Sequence, residues 1–133
     1  ELVHLKDEPM KMAKIESAVR IVLDFYAAFN RQDVDGMLQL IHETAVLEDV
    51  HPAPDGTYYI GKEKIAAFWI DYFRNNPVAQ IELEDVFGLG LRCVARWRLT
   101  LSENPGKHNH LRGLSLFQVK EGRICEILSY SKC

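Results

Sequence analysis

The stretch PVAQIELEDVFGLGLRCVARWRLT, residues 77–100, marks a change in the spacing of apolar residues along the chain. Before Pro77 the apolar residues recur every three or four positions, which is typical of amphipathic helices. After Pro77 they alternate with polar residues, which is typical of half-buried strands. Four strands are predicted in this part of the chain, over residues 78–87, 91–102, 110–119 and 123–130. Turn-forming residues predict the connections between them, at residues 88–90, 104–107 and 121–122.

The residues before Pro77 predict three helices and a short pair of strands. The longest helix, 14–31, carries apolar residues at i, i+3, i+4 and i+7 and ends in an aromatic cluster. Asp33 can cap a second helix over 34–41. The other elements are strands over 45–50 and 57–60, a loop over 51–56 and a helix over 62–76. Helices that precede antiparallel strands indicate an α+β fold, and we expect the sheet and helix to enclose an apolar cavity.

The composition is that of one globular domain. Of the 133 residues, 47% are apolar and 26% are charged, close to the average for soluble proteins. A formal charge of −3 argues against nucleic acid and anionic membranes as partners, and no apolar run approaches the ~20 residues of a membrane span. Three cysteines without a CxxC pair favour a reducing compartment, so we expect a cytoplasmic protein without disulfides.

The N-terminal segment is set apart from the predicted domain. Because the chain starts without Met and has internal methionines that could be the natural start, residues 1–13 are predicted to be an arm or a tag remnant. Residues 14–133 then form the domain. His108 and His110 have no cysteine pair at ligand spacing, so we expect neither a metal site nor another cofactor.

Five segments together resemble the nuclear transport factor two-like superfamily, which includes ketosteroid isomerase and the SnoaL-like polyketide cyclases. They are FYAAFNRQDVDGMLQLI (25–41), AVLEDV (45–50), YIGKEKIAAFW (59–69), RCVARWRLT (92–100) and HLRGLSLFQVKEGRICEI (110–127). The resemblance implies an α+β barrel in which a cone-shaped, curved antiparallel sheet wraps around a long N-terminal helix. It also implies an internal pocket and a homodimer. The superfamily hosts several chemistries, so function has to be argued from the pocket.

Asp49 is the leading candidate for a catalytic group. The segment AVLEDV resembles the part of ketosteroid isomerase that carries its general base, and Asp49 takes the place of that residue. Leu47 and Asp49 alternate to the same face of the predicted strand, so Asp49 faces the core if Leu47 does. A carboxylate in an apolar pocket is poorly solvated and is therefore a stronger base. Alternatively, Asp49 caps the following loop by accepting hydrogen bonds from backbone N–H groups, and the sequence leaves both possibilities open.

The other catalytic positions of the superfamily hold different residues in this chain. The resemblance places Phe25 where ketosteroid isomerase has an oxyanion-binding Tyr, and Ser115 where that enzyme and the cyclases have an acid. Ser129 falls where limonene epoxide hydrolase has an Asp. Because oxyanion donors supply much of the catalysis at such sites, a steroid isomerase is not expected. His51 and Tyr26 are predicted to assist Asp49.

The pocket is predicted to be lined mainly by aromatic and aliphatic side chains. The candidates are Phe25, Phe29, Leu47, Tyr59, Phe68, Trp69, Trp97, Leu111, Ser115, Phe117, Cys125 and Ser129. Two functions fit such a pocket. The first is a small-molecule enzyme of isomerase, cyclase or hydrolase type, with Asp49 as general base. The second is a binding protein that holds an apolar small ligand without turning it over.

The outer face of the predicted sheet carries apolar residues that need a partner. They are Val94, Leu114, Leu116, Leu128 and Tyr130. A homodimer through this face is therefore predicted, in agreement with the resemblance.

Overall fold

The computed structural model describes residues 9–102 and 110–132, with side chains described from residue 18 onward. Three helices are present in this part of the chain: α1 (Pro9–Asn30), α2 (Val34–Gln39) and α3 (Lys62–Asn75). Residues 1–8 of the predicted arm, and the predicted turn at 104–107 with His108, lie outside the described residues. The helix predicted over 14–31 begins earlier, at Pro9. A proline is tolerated in the first turn of a helix because the N–H groups there have no intrahelical partner.

Six strands complete this part of the chain: two lie between α2 and α3, and the other four follow α3. They are β1 (Ile41–Asp49), β2 (Thr57–Ile60), β3 (Gln80–Leu89), β4 (Arg92–Thr100), β5 (His110–Lys120) and β6 (Arg123–Ser131). These strands form one curved sheet in the order β2-β1-β6-β5-β4-β3, with β2 and β3 as its open edges. All neighbouring strands run antiparallel except β1 and β6, which are parallel. The α+β fold expected from the sequence is confirmed.

The end of α1 is fastened to the first strand of the meander by one side chain. Asn30 Nδ2 donates to the carbonyl oxygen of Ile81 at 2.8 Å, and the Ile81 N–H donates to Asn30 Oδ1 at 2.7 Å. Gln80 Nε2 also donates to the carbonyl oxygen of Asn30 at 2.9 Å. These bonds fix the aromatic end of α1 against the inner face of the sheet.

The predicted second helix was too long at its C-terminal end. It was expected to run to residue 41, but α2 ends at Gln39 and Ile41 already belongs to β1. Ile41 pairs with Ile124 of β6 and is fully buried in the sheet. Its spacing from Met37 and Leu38 also fits the apolar face of a helix, which is why the sequence predicts a longer helix. The turn predicted at residues 88–90 also differs from the structure. The strand continues to Leu89, and the chain reverses at Gly90, whose φ of +65° suits glycine.

The inner face of the sheet is set by strict alternation along β4. Cys93, Ala95, Trp97 and Leu99 are all buried, while their neighbours are more exposed. Burial raises the pKa of the Cys93 thiol to about 11, so Cys93 is a neutral core residue, as expected. The buried side chains of the helices pack against this face and form a single hydrophobic core with it.

Candidate functional site

A cavity of about 240 Å³ lies between α1, α3 and the inner face of the sheet. Most of its lining is apolar, with aromatic rings from both helices and from β4. The lining residues are Phe25, Tyr26, Phe29, Leu47, Asp49, Val50, His51, Phe68, Trp69, Tyr72, Asn76, Ile81, Trp97, Leu99, Leu101, Leu111, Ser115, Ile127 and Ser129. A pocket of this composition fits a largely apolar small molecule held by a few polar groups.

Asp49 reaches the cavity from the end of β1. Leu47, two residues earlier on the same face, is almost fully buried, and Asp49 is half-buried. Among the described residues, Asp49 is the one carboxylate in the lining. Its Oδ2 accepts a hydrogen bond from the backbone N–H of His51 at 3.4 Å, which is long for a bond of this kind. Asp49 therefore lines the cavity and also makes one weak contact with its own loop.

Ser129 is the neighbour of Asp49 on the next strand. The parallel pairing of β1 with β6 aligns Leu47 with Ile127 and Glu48 with Leu128. One position further along both strands come Asp49 and Ser129, which both line the cavity. Adjacent strands lie roughly 5 Å apart, and continuing this register by one residue makes the carboxylate of Asp49 and the hydroxyl of Ser129 neighbours in the cavity lining.

Ser115 is the centre of a buried hydrogen-bond cluster, and it is the one polar residue buried within the described part of the chain. Its Oγ accepts the indole N–H of Trp97 at 3.0 Å and lies 2.8 Å from the Oγ of Ser129. The Tyr26 hydroxyl also hydrogen-bonds with Ser115. Trp97, Ser115 and Ser129 therefore form a connected polar row on the inner face, and Tyr26 and Asp49 line the same cavity.

Both tyrosines that line the cavity remain protonated. Burial raises the pKa of Tyr26 far above its usual value; the hydrogen bond from Ser115 opposes this shift only in part. Burial also raises the pKa of Tyr72, and the nearby carboxylate of Asp49 raises it further. Neither phenol supplies a negative charge at neutral pH, and each keeps an O–H group that can donate a hydrogen bond.

His51 is one of the residues that line the cavity, and it contacts its neighbours through the backbone. Its N–H donates to Asp49, and its carbonyl oxygen accepts a bond from Thr57 Oγ1 at 2.8 Å. Within the described residues, the imidazole makes no hydrogen bond. These backbone bonds hold the loop that carries His51 against the ends of β1 and β2.

Trp69 contributes an aromatic surface to the cavity. Among the described residues its indole N–H is buried without a hydrogen-bond partner. The ring meets Phe29 edge to face, with centroids 5.6 Å apart, and packs in the same way on Tyr72 at 5.4 Å. Within the described residues, the indole N–H of Trp97 therefore donates a hydrogen bond, whereas the indole N–H of Trp69 does not.

Three residues predicted to line the cavity lie elsewhere. Tyr59 packs on Phe68, with ring centroids 4.7 Å apart, and so lies behind the lining. Phe117 is fully buried beneath the cavity floor. Cys125 falls at a register shift in the pairing of β5 with β6, between the pairs Val119–Ile124 and Gln118–Glu126. The extra residue of this β-bulge breaks the alternation, which takes Cys125 out of the inward-facing set.

Several lining residues were not predicted. Leu99 and Leu101 continue the alternation of Trp97 along the chain, and Tyr72 follows Phe68 by one helical turn, so these signals were present in the sequence. Ile127 becomes identifiable only once its pairing with Leu47 is known. The remaining members are Val50, Asn76 and Ile81.

No group of three or more potential metal-ligating residues occurs in the described part of the chain. No helix there is long and apolar enough to cross a membrane.

The fold and its cavity define a class of small α+β domains in which a curved sheet and helices enclose an internal cavity. The sequence profile of the SnoaL-like domain matches residues 22–127, and the chain belongs to this family within the nuclear transport factor two-like superfamily. None of the curated proteins matches the chain.

Solved structures agree with this assignment. An NTF2-like protein of unknown function from Mesorhizobium loti is 31% identical, with a TM-score of 0.79, over 90% of this chain and 94% of its own. A protein from Kribbella flavida, provisionally assigned as a ketosteroid isomerase, is 14% identical, with a TM-score of 0.77, over 90% and 81%. A provisionally assigned polyketide cyclase from Xanthomonas campestris pv. campestris is 24% identical, with a TM-score of 0.70, over 90% and 93%.

Proposed function

We propose that this protein is a small-molecule enzyme in which Asp49 acts as a general base on a substrate held in the aromatic cavity. The observation that carries the proposal is the position of Asp49, the one carboxylate in the described lining, beside the Ser129 hydroxyl. No cation among the described residues forms an ion pair with Asp49, and its one hydrogen bond is long. The carboxylate is therefore available to accept a proton.

The chemistry that suits this pair is removal of a proton from a carbon beside a carbonyl group. The carboxylate of Asp49 takes the proton, and the electrons of the C–H bond move toward the carbonyl oxygen. Returning the proton to a different carbon gives an isomerase, and attack of the carbanion on a second carbonyl gives a cyclase. The structural relatives assigned as a ketosteroid isomerase and a polyketide cyclase support this class of reaction. Activation of a water molecule by Asp49 is the hydrolase variant of the same proposal.

The size of the cavity favours a small substrate. Its volume of about 240 Å³ is below the roughly 300–1,000 Å³ typical of pockets for drug-sized ligands. Phe25 and Ser115 also stand where ketosteroid isomerase has its strong oxyanion donors. We therefore propose a substrate with one or two rings, and not a four-ring steroid.

The test can be carried out before the natural substrate is identified. The protein is incubated in D₂O with a panel of one- and two-ring ketones, and exchange of hydrogens beside the carbonyl is followed by NMR. Asp49→Asn should reduce the exchange rate by at least the roughly 100-fold that a general base contributes. The matched control is Glu48→Gln, which removes the preceding carboxylate on the other face of β1. Equal exchange in the wild type and Asp49→Asn would contradict the proposal, as would an absence of exchange with every ketone.

A second candidate is a binding protein that holds a small apolar ligand without chemistry. The hydrogen bond from the His51 N–H to Asp49 favours this function, because one carboxylate oxygen then accepts a bond from its own loop and is less available as a base. Native mass spectrometry of the purified protein separates the two. A ligand that co-purifies unchanged, together with no exchange activity, would establish binding alone.

A further inference from the structure

Gly113 and Trp97 face each other in register on β5 and β4. A Cβ atom on Gly113 would lie 2.7 Å from Cη2 of Trp97 and 2.9 Å from its Cζ2. Both distances are shorter than side chains tolerate, and the same Cβ atom would also overlap the backbone carbonyl oxygen of Tyr130 on β6. The indole ring and the β6 backbone together therefore occupy the space that any other residue at 113 would fill. The ring lies across β5, and its N–H reaches Ser115, two residues further along that strand.

The bond from Trp97 restricts how the Ser115 hydroxyl can be used. An indole N–H only donates, and a serine hydroxyl has one proton and two acceptor positions. With one acceptor position taken by Trp97, Ser115 can accept one more bond and donate one. Among the described residues, its other close polar contact is the hydroxyl of Ser129, 2.8 Å away. When Ser115 donates to Ser129, the proton of Ser129 is left for a group in the cavity.

We propose that Ser129 binds one uncharged ligand oxygen, and that Gly113 and Trp97 are positioning residues that set the direction of this hydroxyl chain. The inference rests on the proposed function, since it identifies the oxygen-binding part of the same cavity. Ser129 is the member of the chain that stands next to Asp49. A ligand whose carbonyl oxygen contacts Ser129 therefore places the adjacent carbon near the carboxylate.

The charge of the lining determines the class of ligand. Asp49 contributes a negative charge beside Ser129, and the described lining holds no lysine or arginine that would offset it. A carboxylate or phosphate on the ligand would be repelled by Asp49 and would lack a cationic partner. The ligand oxygen is therefore that of a ketone, an aldehyde or an ester.

The test compares two ligands of the same shape. The probes are 1-tetralone, a two-ring ketone, and 1-methylenetetralin, in which a CH₂ group replaces the carbonyl oxygen. Binding is measured by ligand-observed NMR. The wild type should bind the ketone about 2- to 12-fold more tightly, which is the range expected for one neutral hydrogen bond. Ser129→Ala should remove this preference, while Thr100→Val, which removes a hydroxyl from the outward-facing side of β4, should retain it.

The positioning role is measured separately. The indole N–H signal of Trp97, assigned by its loss in Trp97→Phe, should shift in Gly113→Ala because the ring has to move. The ketone preference should fall in both variants. If Gly113→Ala does not fold, Trp97→Phe carries the same test, because it keeps an aromatic ring but removes the N–H.

Several outcomes would overturn the proposal. Equal binding of the two probes to the wild type, no binding of the ketone, or a preference that survives in Ser129→Ala would remove Ser129 as the oxygen contact. An unchanged indole signal together with an unchanged preference in Gly113→Ala would remove the positioning role. Asp49→Asn separates this proposal from the proposed function, since it should reduce exchange by at least roughly 100-fold while leaving the preference for the ketone in place.

Discussion

Asp49 and Ser129 occupy neighbouring positions on the parallel strands β1 and β6, one residue beyond the pair Glu48–Leu128. Both side chains line the same cavity. A group that accepts protons thus stands beside one that donates a hydrogen bond, on the rigid inner surface of a sheet. Catalytic groups on strands are held more precisely than those on loops, and this pair is placed by the register of two strands.

Removing the centre of the polar row should destabilise the protein. Ser115→Ala deprives the buried N–H of Trp97 and the hydroxyl of Tyr26 of their partner. Leaving a buried donor unpaired costs about 1–3 kcal/mol, and we expect the free energy of unfolding in urea to fall by roughly that amount. Thr100→Val, on the outward-facing side of β4, is the control, with an expected change within about 0.5 kcal/mol. Equal stability of the two variants would show that the cluster contributes nothing.

Asn30 should be important for docking α1 on the sheet. Asn30→Ala removes both hydrogen bonds to the backbone of Ile81, at 2.8 and 2.7 Å. We expect a loss of roughly 1–3 kcal/mol in the free energy of unfolding, since the Ile81 groups are partly buried. Asn75→Ala is the matched control, because the Asn75 side chain bonds only Asp71, in an exposed position. A similar loss in both variants would contradict this role.

The stability of the protein should fall in alkaline solution. Burial raises the pKa of Cys93 from 9.0 to about 11. Between these values the unfolded chain releases the thiol proton while the folded chain keeps it, so the contribution is complete below pH 9 and is lost as pH rises toward 11. We expect a decrease of at most about 2 kcal/mol over this window. Cys93→Ala should show a smaller decrease in urea unfolding at the same pH values; an identical pH profile would contradict the assignment.

The outer face of the sheet should mediate a homodimer. Val94, Leu116 and Leu128 lie in register across β4, β5 and β6, and Phe87 of β3 extends this apolar row. Phe87 is 54% exposed in the single chain. We expect sedimentation at micromolar concentration to give a dimer, and Leu116→Arg to give a monomer. Leu89→Arg, at the edge of the sheet beside the β3–β4 turn, is the control and should remain dimeric. A monomeric wild type would contradict the prediction.

Local patterns in the sequence identified much of the site. The alternation of Leu47 with Asp49 places the carboxylate on the inner face, and the alternation along 93–99 places Trp97 there. Both patterns depend only on the two-residue period of a strand. The residues that were misplaced depend instead on pairing between distant segments. Cys125 leaves the inward face because of a bulge opposite β5, and no property of its neighbours in the sequence indicates that bulge.

The role of Gly113 illustrates the same limit. The sequence shows a glycine in the middle of a predicted strand, which suggests a close approach of some other group. It does not identify the indole of Trp97 as that group, because the contact exists only in one register of β4 against β5. The sequence likewise does not distinguish Ser115 from other serines, because its contacts with Trp97 and Ser129 exist only once β4, β5 and β6 are paired.

The parallel contact between β1 and β6 also bears on how the protein is made. During synthesis β1 leaves the ribosome before its partner β6, which follows all the other strands described here and enters the sheet between β1 and β5. Until then the nascent chain holds two separate pieces, the β1–β2 hairpin and the β3–β5 meander, each with an unpaired edge. Contacts between such distant segments slow folding, and unpaired edges invite association with other chains. The cavity between the sheet and the helices is therefore complete only after β6 has been inserted between β1 and β5.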